Sequence, residues 1–287
     1  MGRSTTTALV AAGHEVVGLV RSERAARVAE AHGARPHRGT VFDVEAMTAG
    51  MQGCDAVVNF AGRMPVGLAM LRPGAWRQND RIRAVGSRRV AEAMLAAGVP
   101  RLVQQSRSSI YADGGDAWID ELAPVEITRD TDTVAEAEQH ARALGRRGRD
   151  VVVLRFGQIV GPDPGSRWLL RRARSGRPTG WGEPSSWVHL VHVDDVGTAA
   201  EAALTAPAGV YNVGAEPCRR EDLAEQLALA GGRRGGRFHH RVTQRLAGVR
   251  LETFGRSQRV TSQRFGDRAG WHPMFPKLTP DWFDGVL

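Results

Sequence analysis

A cluster of polar and charged residues follows an apolar stretch in the middle of the chain. Residues 101–105 predict a buried strand, and Ser106, Arg107, Ser108 and Tyr111 follow at or soon after its end. Strand ends followed by loops are where open α/β sheets hold ligands. The serine hydroxyls and the Tyr111 phenol could bind a polar group, and Arg107 could clamp an anion. The alternative is that the serines are ordinary turn residues.

Two carboxylates at the start of the next predicted helix are the candidates for acid–base chemistry. Asp130 and Asp132 stand just before the segment AEAEQ. A partly buried carboxylate can act as a general base, because burial raises its pKa. The alternative is that both carboxylates only stabilise the N-terminus of the helix through its dipole.

The elements that must position these side chains alternate between strands and helices. Apolar strands are predicted at 14–20, 55–60, 101–105 and 151–156. Helices are predicted at 4–12, 23–32, 44–51, 76–97 and 131–144. This alternation indicates an α/β fold with a doubly wound parallel sheet. Runs such as VVVL lack polar alternation, which predicts strands that are covered on both faces.

The amino-acid composition changes after residue 156, where Gly, Pro and Arg become frequent. The segments 157–165 and 175–186 are predicted as loops. We therefore predict a Rossmann-like domain over residues 1–160 and a smaller substrate lobe over residues 161–287. The segments within 188–214 are expected to return to the first domain.

Several short motifs along the chain resemble, in order, those of one large family. They are RFGQIVGP (155–162), VHVDDV (191–196), YNVG (211–214), RSQRV (256–260) and GWHP (270–273). Their order over almost the whole chain is similar to extended short-chain dehydrogenase/reductases, the NAD-dependent epimerase/dehydratase family. The resemblance implies a pocket for NADP(H) or NAD(H) that is not necessarily consumed. It also implies a small polar substrate, such as a sugar nucleotide or a secondary metabolite.

The catalytic positions of that family carry other residues in this chain. Aligning IYADGG and AEAEQ with the family pattern puts Arg107 at the serine, Asp130 at the tyrosine and Val134 at the lysine. The chain has two tyrosines, with Gly115 and Ala215 four residues after them, and its only lysine is near the C-terminus. No Tyr-x-x-x-Lys pair can therefore form, and the chain resembles the atypical branches of the family. Arg107, Asp130, Ser108 and Tyr111 are the predicted catalytic residues.

The resemblance also implies a set of cofactor-binding residues. Arg21 ends the second family strand, where an arginine favours the 2′-phosphate of NADP over the 2′-hydroxyl of NAD. The alternative is a solvated arginine in an arginine-rich chain. The other predicted positions lie at strand ends, at helix starts and in the turns between them: Gly2, Ser22, Val41, Phe60, Ala61, Gly62, Asn79, Ser106, Phe156, Gly157 and Ile159.

The first strand of the family and its glycine-rich turn have no counterpart in this sequence. Gly2 aligns with the third glycine, so the chain starts inside the helix that normally follows. We expect strands 14–20 and 55–60 to lack the partner between them and to carry unpaired backbone groups. The hypothesis that follows is that Met1 is an internal residue of a longer natural protein.

Composition narrows the class of protein. The 287 residues carry a net charge of +8, and nearly all of the positively charged side chains are arginines. These arginines are scattered among Asp and Glu. This pattern favours acidic small ligands and argues against nucleic acid as a partner. No apolar run approaches a membrane span and no signal peptide is visible, so neither a membrane nor secretion is expected. The two cysteines fit reduced thiols in the cytoplasm and no metal site.

Three functions stay open on this interpretation. The first is an atypical NAD(P)-dependent oxidoreductase or epimerase that takes its proton from other groups or from water. The second is a redox-neutral cyclase, hydro-lyase or isomerase that uses Asp130 or Asp132 as base. The third is a non-catalytic binding or regulatory protein. In the family that the chain resembles, the long helices around the sheet commonly form dimer interfaces. The resemblance therefore implies a homodimer as one expected assembly.

Overall fold

The computed structural model describes residues 1–72, 74–240, 244 and 249–287, of which residues 249–251 are described by their backbone alone. The strands are β1 Val17–Val20, β2 Arg35–Arg38, β3 Ala56–Asn59, β4 Arg101–Arg107, β5 Asp150–Phe156, β6 Gln158–Val160, β7 Trp187–Val188, β8 Leu190–His192, β9 Gly209–Val213 and β10 Cys218–Arg219. The helices are α1 Gly2–Ala11, α2 Glu23–Ala31, α3 Val44–Met51, α4 Arg77–Arg81, α5 Ser87–Ala97, α6 Asp132–Gly145, α7 Pro164–Arg174, α8 Val193–Ala202, α9 Arg220–Ala230 and α10 Gln263–Ala269.

The central sheet is parallel and has the strand order β3-β4-β5-β9. In its middle, Val103 of β4 lies between Val58 of β3 and Val152 of β5. Val103 and Val152 are both fully buried, since helices cover both faces of these strands. The predicted α/β fold with a parallel sheet is confirmed.

β1 and β2 form a separate parallel pair, in which Val20 lies beside Arg38. Within the described residues no ladder of hydrogen bonds joins β1 to β3. This gap lies where the sequence predicts two strands without a common partner. The carboxyl ends of β1, β3, β4 and β5 therefore belong to two sheets.

The single helix predicted for 76–97 is divided by a π-helical turn, Ile82–Gly86, between α4 and α5. Such turns widen the helix locally and often occur at functional sites. Here the turn carries Arg83, which is buried.

Two short elements were not expected in the glycine- and proline-rich stretch after β5. Strand β6 pairs in parallel with β8, and helix α7 follows it. The Asp163 carboxylate accepts hydrogen bonds from the backbone N–H groups of Gly165 and Ser166, while Pro164 occupies the first turn. An Asp-Pro pair is a helix start signal, so the loop prediction for 157–165 was wrong in this part. No helix in the described part of the chain has both the length and the apolar character needed to cross a bilayer.

Candidate functional site

The fold joins two of the predicted catalytic residues in an ion pair. Arg107 is the last residue of β4, and Asp130 stands two residues before α6. Arg107 Nη2 lies 2.7 Å from Asp130 Oδ2, and the Thr253 hydroxyl donates to the same oxygen at 2.8 Å. The side chain of Asp130 is 1% exposed, so this pair is held in the interior. Asp130 Oδ1 and Arg107 Nε have no hydrogen-bond partner among the described residues.

The alternative carboxylate, Asp132, is exposed, and its Oδ1 accepts from the backbone N–H of Thr133. Asp132 is the first residue of α6, a position at which the helix dipole favours an acidic side chain. Of the two predicted bases, only Asp130 lies in the buried cluster.

Ser106 is hydrogen-bonded to a residue that the sequence analysis did not identify as part of the site. Its hydroxyl donates to Glu138 Oε1 at 2.6 Å. Glu138 also accepts hydrogen bonds from Nε and Nη2 of Arg155, each at 2.8 Å. Burial alone would raise the pKa of Glu138, but the hydrogen bonds and charge of Arg155 lower that pKa overall. The sequence signal was an acidic residue on the apolar face of a helix opposite an arginine inside an apolar strand.

Ser108 and Tyr111 lie in the interior after β4. Ser108 begins a buried 3₁₀ turn, and Tyr111 is fully buried. The Tyr111 hydroxyl donates to Asn212 Oδ1 at 2.8 Å, while the Arg155 guanidinium lies 4.8 Å from the centre of its ring. Burial raises the pKa of Tyr111. This placement gives the catalytic prediction for Tyr111 no support, because the phenol is already used to join two parts of the core.

A small cavity lies beside this cluster, at the carboxyl ends of β3 and β4. Its volume is about 10 Å³, which is room for about one water-sized group. The walls include Asn59, Gln104, Ser106, Arg83 and Val134. Val134 thus lines the space at the position where the family resemblance implies a lysine, and Arg83 supplies a cation from another helix.

Arg83 is a second site residue that sequence reasoning missed. The residue is 8% exposed, and its guanidinium makes no hydrogen bond or ion pair with any residue that the structure describes. Burial lowers the pKa of Arg83 to about 9; nearby Arg107 also acts to lower it, while Asp130 and Asp80 act to raise it. Nothing in the sequence indicates that Arg83 is buried, because it lies in a segment with an ordinary helical pattern. The π-helical turn that directs its side chain inward cannot be recognised from the sequence.

The predicted nicotinamide-side residues form one part of the sheet edge. The rings of Phe60 and Phe156 meet edge to face with centroids 5.3 Å apart. Asn79 Oδ1 accepts from the backbone N–H of Arg63 and so anchors the turn that contains Gly62. Next to them stand Ala61, which lines the cavity, and the half-buried Ile159 of β6.

Gly157 has a packing role in the structure. A Cβ atom built on it would lie 2.8 Å from the carbonyl oxygen of His189, because β8 passes directly beside the β5–β6 junction. Only glycine allows this approach of two backbones. Cofactor contact at Gly157 therefore stays a prediction, while the packing explains the glycine without it.

The predicted adenosine-side residues lie around β1. Arg21 is exposed directly after β1, and the Ser22 hydroxyl accepts from Ala25 N–H and caps α2. Val41 packs with the core around α5. Gly2 is exposed at the start of α1, whose N-terminus has no side-chain cap and no acidic residue in its first turn.

These residues fit a nicotinamide dinucleotide in three respects. The uncapped N–H groups of α1 and the partial positive charge of its dipole suit a phosphate. The exposed Arg21 guanidinium at a strand end suits a second phosphate. A Cβ atom built on Gly62 would come no closer than 3.8 Å to a neighbouring atom, so there is open space over this turn that a ligand could occupy.

Comparison with known proteins identifies the same architecture. A family model described as NAD dependent epimerase/dehydratase family matches residues 1–214. A "4-hydroxy-2-methyl-3-oxo-4-farnesyl-3,4-dihydroquinoline-1-oxide ketoreductase" of Stigmatella aurantiaca is 34% identical over 167 residues, or 57% of this chain and 48% of that protein. The chain thus aligns with about half the length of this relative. A "3-diazoavenalumate denitrifying reductase" of a Streptomyces species is 31% identical over 226 residues, or 72% of this chain and 70% of the relative.

Solved structures share the fold over nearly the whole chain. The human epimerase family protein crystallised with NADPH has a TM-score of 0.79 at 24% identity and covers 99% of this chain and 95% of its own. UDP-glucose 4-epimerase of Thermus thermophilus in complex with NAD has a TM-score of 0.78 at 22% identity, with coverages of 100% and 96%.

Proposed function

Because the chain belongs to the NAD-dependent epimerase/dehydratase family, we propose that it is an NADP(H)-binding oxidoreductase for a small polar metabolite. It would work without the serine, tyrosine and lysine on which the family usually relies. The observation that carries the proposal is the buried Arg107–Asp130 pair at the end of β4, at the positions where the resemblance implies the serine and the tyrosine.

Three sets of residues are proposed to hold the cofactor. Arg21 would face the 2′-phosphate, the start of α1 would face the pyrophosphate, and Ala61-Gly62 would form the floor below the dinucleotide. When bound, the cofactor supplies or accepts a hydride. Cofactors occur with two of the fold relatives described above, and the two curated relatives are a ketoreductase and a reductase by name.

The residues of this chain would contribute to catalysis mainly by stabilising negative charge and less by transferring protons. Arg107 holds a fixed cation where a neutral hydroxyl is usual, and such a cation stabilises negative charge on a substrate oxygen. Asp130 keeps Arg107 in place through the 2.7 Å contact. No tyrosine–lysine pair is available to pass a proton, so solvent would supply it.

A redox-neutral enzyme is the second candidate, and one atom favours it. Asp130 Oδ1 has no hydrogen-bond partner among the described residues, although it is buried. An oxygen in that situation can accept a proton from a substrate. Turnover of a substrate without added nicotinamide cofactor would favour this candidate, and Asp130→Asn should then abolish it.

The decisive experiment is cofactor binding followed by turnover. NADPH fluorescence should be enhanced on titration with the protein, and keto and hydroxy metabolites should then be screened for oxidation or formation of NADPH. Absence of NADPH and NADH binding would refute the oxidoreductase proposal. Binding without turnover across the screen would instead favour a binding or regulatory protein.

The proposal also covers the cellular compartment and the oligomeric state. The cysteines Cys54 and Cys218 are free thiols, as is usual in a reducing compartment, so we infer a cytoplasmic protein. A homodimer through the helices around the sheet is the assembly proposed by analogy with the family, and light scattering of the purified protein would test it.

A further inference from the structure

Two arginines lie near the buried carboxylate of Asp130. Arg107 and Arg83 both act on this carboxylate, one through a 2.7 Å ion pair and the other through a longer-range attraction. Asp80 also attracts Arg83, but it is only half-buried. Two guanidinium groups thus share one fully buried carboxylate.

The nearby buried acid does not correct this imbalance. Glu138 is paired with Arg155 at 2.8 Å and with Arg142 at 3.0 Å, so its charge is already compensated. A buried cation without a partner is costly, because it has lost its water and gained no counter-charge. The arrangement therefore favours an anion that comes from outside the chain.

Each of the two arginines has hydrogen-bond donors without a partner among the described residues. The Arg83 guanidinium lines the cavity without a hydrogen bond to any described residue, and Arg107 Nε is buried in the same state. Both groups combine positive charge, a largely buried side chain and unused N–H groups, which are the properties of an anion-binding site.

We propose that this cavity holds a carboxylate oxygen of the substrate against Arg83, with Arg107 as the second cation. The inference rests on the proposed function, and it narrows the substrate to a small organic acid. The cavity is narrow, since a volume of about 10 Å³ admits one oxygen-sized group. A flat carboxylate can present one oxygen to such a space with less bulk around it than a tetrahedral phosphate, so we assign the anion to the carboxylates.

The test uses the full chain without cofactor, so that it is independent of NADPH binding. Formate and inorganic phosphate are titrated separately by calorimetry at fixed ionic strength, and crystals soaked in formate are examined at Arg83. Formate should bind with one oxygen at hydrogen-bond distance from the guanidinium. Arg83→Met should weaken formate binding about tenfold or more, since a charge-assisted hydrogen bond is lost.

Arg89→Met is the matched control. Arg89 lies on α5, its side chain is 41% exposed, and it is paired with Glu92 at 2.7 Å. Its replacement should leave formate binding unchanged.

Stability in formate-free buffer provides a second readout. Arg83→Met should melt at a higher temperature than the wild type, because an uncompensated buried cation is removed. Failure of this variant to fold, or a lower melting temperature, would mean that the guanidinium is satisfied within the chain and would overturn the proposal. So would equal formate affinity in the two proteins. Phosphate binding that depends on Arg83 would overturn the assignment to a carboxylate.

Discussion

The Glu138 carboxylate and the Arg155 guanidinium form a two-point ion pair, with two N–O distances of 2.8 Å. The pair joins α6 to β5, and both side chains are no more than 4% exposed. Because α6 also carries Val134 into the cavity wall, this contact fixes one side of the candidate site.

Replacing Glu138 by glutamine should therefore destabilise the whole domain. The substitution keeps the shape of the side chain but leaves the Arg155 charge buried without a counter-ion, which costs about 3–5 kcal/mol. Chemical denaturation at neutral pH should give a correspondingly smaller free energy of unfolding. Glu136→Gln is the control, because Glu136 is exposed on the same helix and should change stability by less than about 0.5 kcal/mol. Equal effects of the two substitutions would contradict a structural role for the pair.

His189 should make the protein sensitive to acid. It is buried, both ring nitrogens lack a hydrogen-bond partner among the described residues, and desolvation lowers its pKa to about 3 from 6.5. The unfolded chain binds a proton near pH 6.5 and the folded chain does not, so stability falls as the pH drops from 6.5 towards 3. The slope from this one group is about 1.4 kcal/mol per pH unit.

The measurement is the free energy of unfolding between about pH 6.5 and pH 4.5, a window inside that range, for the wild type and for His189→Leu. The slope should be smaller in the variant by the contribution of one proton. His14→Leu replaces an exposed histidine and should keep the wild-type slope. Parallel pH profiles of all three proteins would show that His189 titrates normally in the folded state.

Tyr111→Phe distinguishes a structural phenol from a catalytic one. The change removes the hydroxyl that donates to Asn212 Oδ1 at 2.8 Å and leaves a buried acceptor unpaired, at a cost of about 1–3 kcal/mol. Turnover, once a substrate is found, should stay within about twofold of the wild type below the melting temperature. Loss of turnover with unchanged stability would restore Tyr111 as a catalytic residue. In Tyr211→Phe the lost partner is the Pro207 carbonyl in a less buried place, so a smaller stability loss is expected.

The sequence predicted features that depend on local patterns. The strands around Val103 and Val152 follow from uninterrupted apolar runs, and the same pattern places Arg107 at a strand end and Asp130 just before a helix. The inward placement of Arg83 could not be predicted, because it depends on one extra residue in a helical turn. Partners far apart in the chain, such as Thr253 and Asp130, were also beyond reach, since only the tertiary fold brings them together.

Cofactor preference gives a test of the adenosine side of the site. Arg21 is exposed directly after β1, where its charge can meet a 2′-phosphate but gains nothing from a 2′-hydroxyl. Arg21→Ala should weaken NADPH binding by about tenfold or more, the value of a lost charge-assisted contact, and leave NADH binding within about twofold. Arg24→Ala is a matched control, because Arg24 is an exposed arginine one turn further on, within α2. Fluorescence titrations of both nucleotides give the ratio of dissociation constants directly. An unchanged ratio in Arg21→Ala would remove the basis for preferring NADP(H), whereas equal losses for both nucleotides would indicate that Arg21 supports the β1 edge without reading the phosphate.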